Sequence, residues 1–478
     1  MTFTQLLAFV QSGGCRVCAD SRKVQKGDIF VAVGGTQVDG HAFAAQAIAN
    51  GALYVVTEKP VSDVPCIIVE NTAEAFGLLA QASCGYPSRQ LTNLAVTGTN
   101  GKTTVAFMVR RIVEQTKDSC GLLGTIDFST GKTRIAAPLT TPDALTIACA
   151  SKEMLEAGWR YMVIEASSHA LSQHRLAGIS FTAAAFTNLT GDHLDYHHTI
   201  EDYLAAKTLL FTGLPPHGLA ILNAESDAAQ TIAEKIAHRR RVLWYAVGRP
   251  ADLSADVERM DAFGSEFRIV FNNYCENVSL KLPGRHNIQN ALAAAGLCLA
   301  AGIGLHDVAE GLSGLQAVPG RLQPVPSENA KQRGIQVFVD YAHTDDALVN
   351  VMNTLKPLCR GKLIVLFGCG GDRDKTKRPR MAGAVEAMAD RVVVTSDNPR
   401  TEDPDAIIGD IAAGFKNPQA EKILVEADRA KAIAAAIQMA RSGDIVLLAG
   451  KGHEDYQIIG TEKRHFSDLE EASKALDA

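Results

Sequence analysis

The chain has 478 residues, 46% hydrophobic and 21% charged, with a formal net charge of −6; that length predicts about three domains, each able to bury a core. No apolar run reaches the ~18 residues of a membrane span, no long basic run invites nucleic acid, and Met1–Val10 lacks the basic flank of a signal peptide. Ten cysteines scattered over this length do not make a disulfide framework, so a reducing cytoplasm is expected, and the lone CxxC of Cys15 and Cys18 reads as two reduced thiols.

Residues 1–88 read as a small α/β domain. Strands are expected at 28–33 and 53–56 and a helix at 41–49. Gly85-Tyr86-Pro87-Ser88 has the chemistry of a linker, because Gly and Pro break both kinds of element. A second domain, 89–317, opens on the apolar run Leu94-Ala95-Val96. The loop Gly98-Thr99-Asn100-Gly101-Lys102-Thr103-Thr104 follows it. Val105, Met108, Val109, Ile112 and Val113 then recur at helical spacing.

Strand, glycine-rich loop and helix in that order make a phosphate site. Backbone N–H groups and a helix N-terminus face the anion, Lys102 adds a positive charge and Thr103 a hydroxyl for Mg²⁺. Val96 stands five residues before Gly101, where the usual phosphate loop has glycine, so the loop is a shortened form.

Residues 161–164 and 183–186 read as further buried strands. Glu165 stands at the carboxyl end of the first, and Thr187–His193 follow the second. Ligands of open parallel sheets bind at strand carboxyl ends. Glu165 is therefore a candidate Mg²⁺ ligand beside Lys102 and Thr103, and His193 a second ligand or a phosphate contact. Asp192, His193, Asp195, His197 and His198 resemble a zinc site in composition, but their spacing fits no standard pattern. Ser167–Arg175 offers hydroxyl, amide and guanidinium donors without a nucleophile-elbow pattern. Lys207, in the helical stretch 203–210, reads by itself as an ordinary exposed lysine.

Beyond Val318-Pro319-Gly320-Arg321 a third α/β region, 318–478, is expected to hold a mostly parallel sheet. Its strands fall at 337–339, 363–367, 391–395, 423–425 and 445–448. Several of them end in polar loops: Asp340–His343, Gly370–Arg373, Asp397–Arg400 and Gly450–Glu454. Arg373 and Arg400 offer planar forks for carboxylates and Glu454 a partner for ammonium, together a grip for a zwitterionic amino acid.

The separated motifs Gly98–Thr104, Glu165–His169, Thr187–His193, Gly284–Asn290, Pro319–Arg321 and Asp340–Thr344 resemble, over essentially the whole chain, the Mur ligase family. These are ATP-dependent amide-forming enzymes of cell-wall precursor synthesis. Asp20–Arg22, Thr140–Asp143, the set Ser167, Gln173 and Arg175, Asp397–Arg400 and Gly450–Glu454 resemble the members that add meso-2,6-diaminopimelate to UDP-N-acetylmuramoyl-L-alanyl-D-glutamate.

The resemblance implies three α/β domains: a small UDP-binding one, a central phosphate-loop ATPase-like one with a mostly parallel sheet, and a Rossmann-like amino-acid-binding one. Ser21 would contact the uridine diphosphate. Thr140, Thr141, Ser167, Gln173 and Arg175 would hold the muramoyl peptide. Gly98, Thr99, Asn100, Gly101, Lys102, Thr103 and Thr104 would bind ATP phosphates, joined by Asn290, Arg321, Asp340 and His343. Lys102, Glu165, His193 and Lys207 would be the catalytic set. Thr103, Glu165, His193 and Lys207, the last as a carbamate, would serve Mg²⁺. Arg373, Asp397, Asn398, Pro399, Arg400, Gly450 and Glu454 would bind diaminopimelate, with Arg400 suited to the carboxylate that lysine lacks. One departure is visible: Asp345 stands where the family has proline after Tyr-Ala-His-Thr.

The expected chemistry is a two-step ligation through an acyl phosphate by a cytoplasmic monomer. The alternatives are an L-lysine-adding ligase of the same family, a folylpolyglutamate synthetase, and a nucleotide switch without catalysis.

Overall fold

The computed structural model describes residues 1–13, 15–35, 38–191, 194–237 and 240–478. The chain forms two compact units: residues 1–256, 268–277 and 289–314 make the first, and residues 257–267, 278–288 and 315–478 the second.

The first unit begins with a four-stranded parallel sheet, Val17–Cys18, Ile29–Val31, Tyr54–Thr57 and Cys66–Ile68, in chain order. Leu6, Val10, Ile29, Val31, Val56 and Leu79 form the core on one face. The helix expected at 41–49 starts as a tight turn, Gly40–Phe43, before continuing as Ala44–Ala49. The cause is local, because the Asp39 carboxylate accepts from both the backbone N–H (3.0 Å) and the ring Nδ1 (2.6 Å) of His41. At 85–88 the chain packs rather than dangles: Ser88 is buried and donates to Gln81 Oε1 at 2.7 Å.

The same unit holds the middle of an eleven-stranded sheet. Six successive parallel strands of it run in the order Arg241–Val247, Leu219–Asn223, Ala183–Phe186, Thr92–Thr97, Tyr161–Glu165 and Cys120–Leu123. Strands buried on both faces must be apolar throughout, and Ala183-Ala184-Ala185-Phe186 is wholly buried. The strand Thr92–Thr97 lies between Ala183–Phe186 and Tyr161–Glu165, so the three polar strand ends are neighbours.

In the second unit a six-stranded sheet has the order Gln323–Pro324, Gln336–Asp340, Ile445–Ala449, Leu363–Phe367, Arg391–Val394 and Ile423–Val425, all parallel except the first strand. The five strands expected from sequence are all present. Two apolar layers cover the sheet, one around Phe338, Val365 and Met381 and the other around Val339, Leu366 and Ile433. Among the described residues no helix is long and apolar enough to cross a membrane.

Candidate active site

In the first unit Gly98–Thr104 forms the turn from the strand Thr92–Thr97 into the helix Lys102–Gln115. Gly98 (φ +145°) and Gly101 (φ +89°) occupy backbone conformations that side chains disfavour, and a Cβ on either would collide with Thr187 Oγ1 or Asn290 Oδ1 respectively. Asn290 is thereby placed against the loop. Asn188 fixes the loop from its other neighbour strand, its carbonyl accepting from Thr99 N at 2.9 Å and its Oδ1 from Asn100 N at 3.0 Å. Lys102 Nζ donates to the carbonyls of Gly98 and Thr99, both at 2.8 Å.

Glu165 is fully buried where its strand ends. Its carboxylate accepts from Thr103 Oγ1 (2.9 Å), Thr125 N (2.8 Å) and Thr125 Oγ1 (2.9 Å). The Thr103 hydroxyl and this carboxylate, at the N-terminus of a helix, form an oxygen-only set. That suits a hard divalent cation taking its remaining ligands from water and phosphate. Among the described residues no three His, Cys, Asp or Glu side chains group as a cage for a metal ion. His193 and Asp192 lie outside the described residues.

A polar pocket wall continues from Glu165. Thr141 Oγ1 donates to the Glu165 carbonyl at 2.6 Å and accepts from Ser167 N at 3.0 Å. Arg175 donates to the Thr141 carbonyl at 2.9 Å and, through Nε (3.0 Å) and Nη2 (2.6 Å), to Gln173 Oε1. Thr140 Oγ1 lies within hydrogen-bond distance of Thr125 Oγ1, at 3.2 Å. The five residues predicted for the muramoyl peptide are thus one connected set. Ser168 meets His197 Nε2 at 2.9 Å, within a ring cluster of His169, Tyr196, His197 and Tyr203.

Lys207 departs from the reading of an ordinary exposed lysine. It is 1% exposed, donates to the Gly98 carbonyl at 3.0 Å, and its Nζ lies 4.1 Å from the centre of the Tyr203 ring. The helix Ile200–Thr212 turns that face inward, beside Tyr203, Leu210 and Phe211, all buried. Ser21, the predicted nucleotide contact of the N-terminal sheet, is buried, and its carbonyl accepts from Asn50 at 2.8 Å.

In the second unit Asp340 ends its strand buried, its carboxylate accepting from Leu322 N at 2.7 Å and Ala342 N at 2.8 Å. Burial pushes its carboxyl up and the His343 imidazole down. Arg321 stands over the Tyr341 ring at 5.2 Å. The departure at Asp345 has a local reason. Thr344 caps the helix Asp345–Leu355, and Asp345 puts a carboxylate in its first turn, where the helix dipole favours it, paired with Arg380 at 3.1 Å.

The loops 370–373, 397–400 and 450–454 come together. Arg400 (φ +53°) donates to the Gly371 carbonyl at 2.8 Å, and the Asn398 carbonyl accepts from Gly371 N at 2.9 Å. Asn398 Nδ2 donates to Glu454 Oε2 at 2.9 Å, while Gly450 N binds the Asp340 carbonyl at 3.0 Å. Arg373 sits exposed on its loop, and the Pro399 carbonyl accepts from Glu402 N at 3.1 Å.

Sequence reasoning gave no role to the groups that hold these loops. Lys451, fully buried, lies 3.4 Å from Asp397 Oδ1 and 3.6 Å from Glu454 Oε2, and donates to Asn398 Oδ1 at 3.1 Å. Burial pushes the Asp397 carboxyl up, but Lys451 and Arg429 outweigh it and leave it lowered. Glu454 is raised by burial and by Asp397. Arg429 pairs with Asp468 through two bonds (2.7 and 2.6 Å), with both side chains at 0% exposure. It also donates to the carbonyls of Ser396 (3.3 Å) and Ala449 (3.0 Å), one residue before each substrate loop. Thr125 was missed as well, although it is a hydroxyl just past a buried strand. Arg429 and Asp468 carry no such local signal, because they are 39 residues apart.

Three family models match the chain: the Mur ligase family catalytic domain over residues 16–83, the Mur ligase middle domain over 96–298, and the Mur ligase glutamate ligase domain over 320–452. A curated relative from Bacillus velezensis, named UDP-N-acetylmuramoyl-L-alanyl-D-glutamate--2,6-diaminopimelate ligase, is 43% identical over 96% of this chain and 93% of its own length. The chain belongs to the Mur ligase family. It is an ATP-dependent amide ligase, as that family is. A Gloeobacter violaceus relative of the same name is 44% identical over 96% of this chain and 92% of its own. A solved structure of that name superposes with a TM-score of 0.71 at 34% identity, covering 97% of this Mur ligase and 94% of the other chain.

Proposed function

We propose that this Mur ligase adds meso-2,6-diaminopimelate to UDP-N-acetylmuramoyl-L-alanyl-D-glutamate in the cytoplasm, through an acyl phosphate. The observation that carries the reading is the linkage of Asn398 to Glu454 directly, and of Arg400 to Asn398 through Gly371, into one polar site at the strand ends of the second unit. The names of the relatives agree with it.

In the first step the terminal carboxylate of the D-glutamyl residue attacks the γ-phosphorus of ATP, and the bond to ADP breaks. In the second the diaminopimelate amine attacks the acyl carbon, inorganic phosphate leaves and the amine proton passes to solvent or a base. Both partners of the first step are anions, so charge screening and alignment are what the protein must supply.

Gly98–Thr104 cradles the phosphates with backbone N–H groups. Lys102, poised over the loop by its two carbonyl contacts, turns to the transferring phosphoryl group. Thr103 and Glu165 would hold Mg²⁺, with His193 a further ligand by family resemblance; when bound, the ion neutralises charge on the phosphate oxygens. Thr140, Thr141, Ser167, Gln173 and Arg175 orient the peptide carboxylate, and Ser21 serves the uridine diphosphate. Asn290, Arg321, Asp340 and His343 complete the nucleotide contacts. Arg373 and Arg400 take the distal carboxylate of diaminopimelate, while Asp397, Asn398, Pro399, Gly450 and Glu454 shape the rest of that site. Lys207, as a carbamate by family resemblance, would add an anionic oxygen donor for a second Mg²⁺.

Phosphate release from ATP in the presence of UDP-N-acetylmuramoyl-L-alanyl-D-glutamate is the test. Release with meso-diaminopimelate and little with L-lysine is expected. Preference for lysine overturns the role of Arg400, and silence with both overturns the substrate assignment.

A further inference from the structure

Two thiols with no part in the ligation meet in the first unit. Cys84 is the C-terminal cap of the helix Thr72–Ser83, and Cys149 lies within the helix Ala144–Glu156. Their sulfurs are 3.9 Å apart although 65 positions separate them in the chain. The two helices pack through small side chains, with Ala80, Ala144 and Ala148 buried together and Phe76 and Leu145 at the margin. Nothing bulky therefore holds the thiols apart. Cys149 is exposed and Cys84 half-buried, so a small reagent reaches both. The contact with Cys149 lowers the Cys84 thiol to about 6, with the Ser83 hydroxyl adding to the effect. A thiolate beside a second accessible thiol is the arrangement that thiol–disulfide exchange requires.

We infer that Cys84 and Cys149 are a disulfide-forming pair, a modification site for small disulfide oxidants such as glutathione disulfide, that staples the helix Thr72–Ser83 to the helix Ala144–Glu156. The Cys84 thiolate attacks one sulfur of the oxidant, its S–S bond breaks and one glutathione thiolate leaves. The Cys149 thiol gives its proton to solvent and attacks the Cys84 sulfur, expelling the second glutathione. One oxidant disulfide becomes two thiols, and two protein thiols become one disulfide. The sulfurs must close from 3.9 Å to a bond of roughly 2 Å. The ring so formed runs from 84 to 149 and encloses both Gly98–Thr104 and Thr140–Thr141. Oxidation thus restrains the nucleotide loop and the peptide-holding threonines in the unfolded chain and raises Tm.

The full-length protein is incubated with glutathione disulfide at neutral pH, the remaining thiols are alkylated in denaturant so that the buried ones react too, and peptides are mapped by mass spectrometry. Two of the ten cysteines are expected to escape alkylation, in one cross-linked peptide pair containing Cys84 and Cys149. The product should run as a monomer on a non-reducing gel, with a raised Tm that dithiothreitol reverses. Cys149→Ser should leave a glutathione adduct on Cys84 and no Tm rise. A persistent glutathione adduct on Cys84 or Cys149 in the native protein, pairing with another cysteine or a second chain, or no loss of thiols overturns the inference. The decisive readout is on the native protein, so a poorly folding variant does not blunt it.

Discussion

Lys102 and Lys207 donate to the same carbonyl oxygen, that of Gly98, at 2.8 and 3.0 Å, which puts their ammonium groups within about 6 Å of each other. Like charges at that separation repel, the more so because Lys207 is buried, and reaction with CO₂ would turn the Lys207 ammonium into a carbamate anion with the release of two protons. Protein equilibrated with ¹³C-bicarbonate should therefore show a carbamate carbon resonance that is absent in Lys207→Met, with that variant losing most of its phosphate release. An unchanged spectrum in the variant would remove the carbamate from the mechanism. Arg400 presents a second residue-level test. A charge-assisted bond is worth roughly 1.5–3 kcal/mol, so Arg400→Met should raise KM for diaminopimelate by about 10- to 100-fold and leave KM for ATP near its native value. Equal damage to both would show that the side chain acts by holding its loop.

Between elements, the buried pair Arg429–Asp468 ties the C-terminal helix Asp468–Asp477 to the ends of two strands. Arg429→Met leaves Asp468 buried without its partner, a loss of about 3–5 kcal/mol readable in urea unfolding. Because Ser396 and Ala449 precede the two substrate loops, KM for diaminopimelate should rise in whatever fraction stays folded. Glu402 makes a similar tie after the Asp397–Arg400 loop. Arg378, the Asp372 N–H and Lys375 hold its carboxyl down to about 2 from the ordinary 4.5. A lowered folded-state value means stability present above the unfolded value and lost as pH falls. Acid unfolding should accordingly contain a component between about 4.5 and about 2 that disappears in Glu402→Gln. The candidate site was legible where one short segment carries strand, turn and polar end together, as at Gly98–Thr104 and Asp397–Arg400. Thr125, Lys451, Arg429 and Asp468 were not, since each acts across a gap in sequence that no local pattern marks. The burial of Lys207 was equally hidden, because its helix has only a weakly one-sided apolar pattern.

Across the whole molecule the alternation of apolar runs with helical segments was enough to anticipate the five main strands of the second unit and the strand neighbours of the phosphate loop. The path of the chain between the units was not anticipated. Residues 257–267 and 278–288 belong to the second unit, while 268–277 and 289–314 return to the first, and the composition of these short segments does not announce which core they join. The chain therefore crosses from one unit to the other at five places. Recombination between relatives has correspondingly few permitted breakpoints. A single exchange at 315 would pass on every diaminopimelate contact named above, yet leave 257–267 and 278–288 from the other parent inside the inherited unit. A lineage changing its amino acid by that route must match both short segments to their new neighbours, whereas substitution within the 397–400 and 450–454 loops carries no such debt.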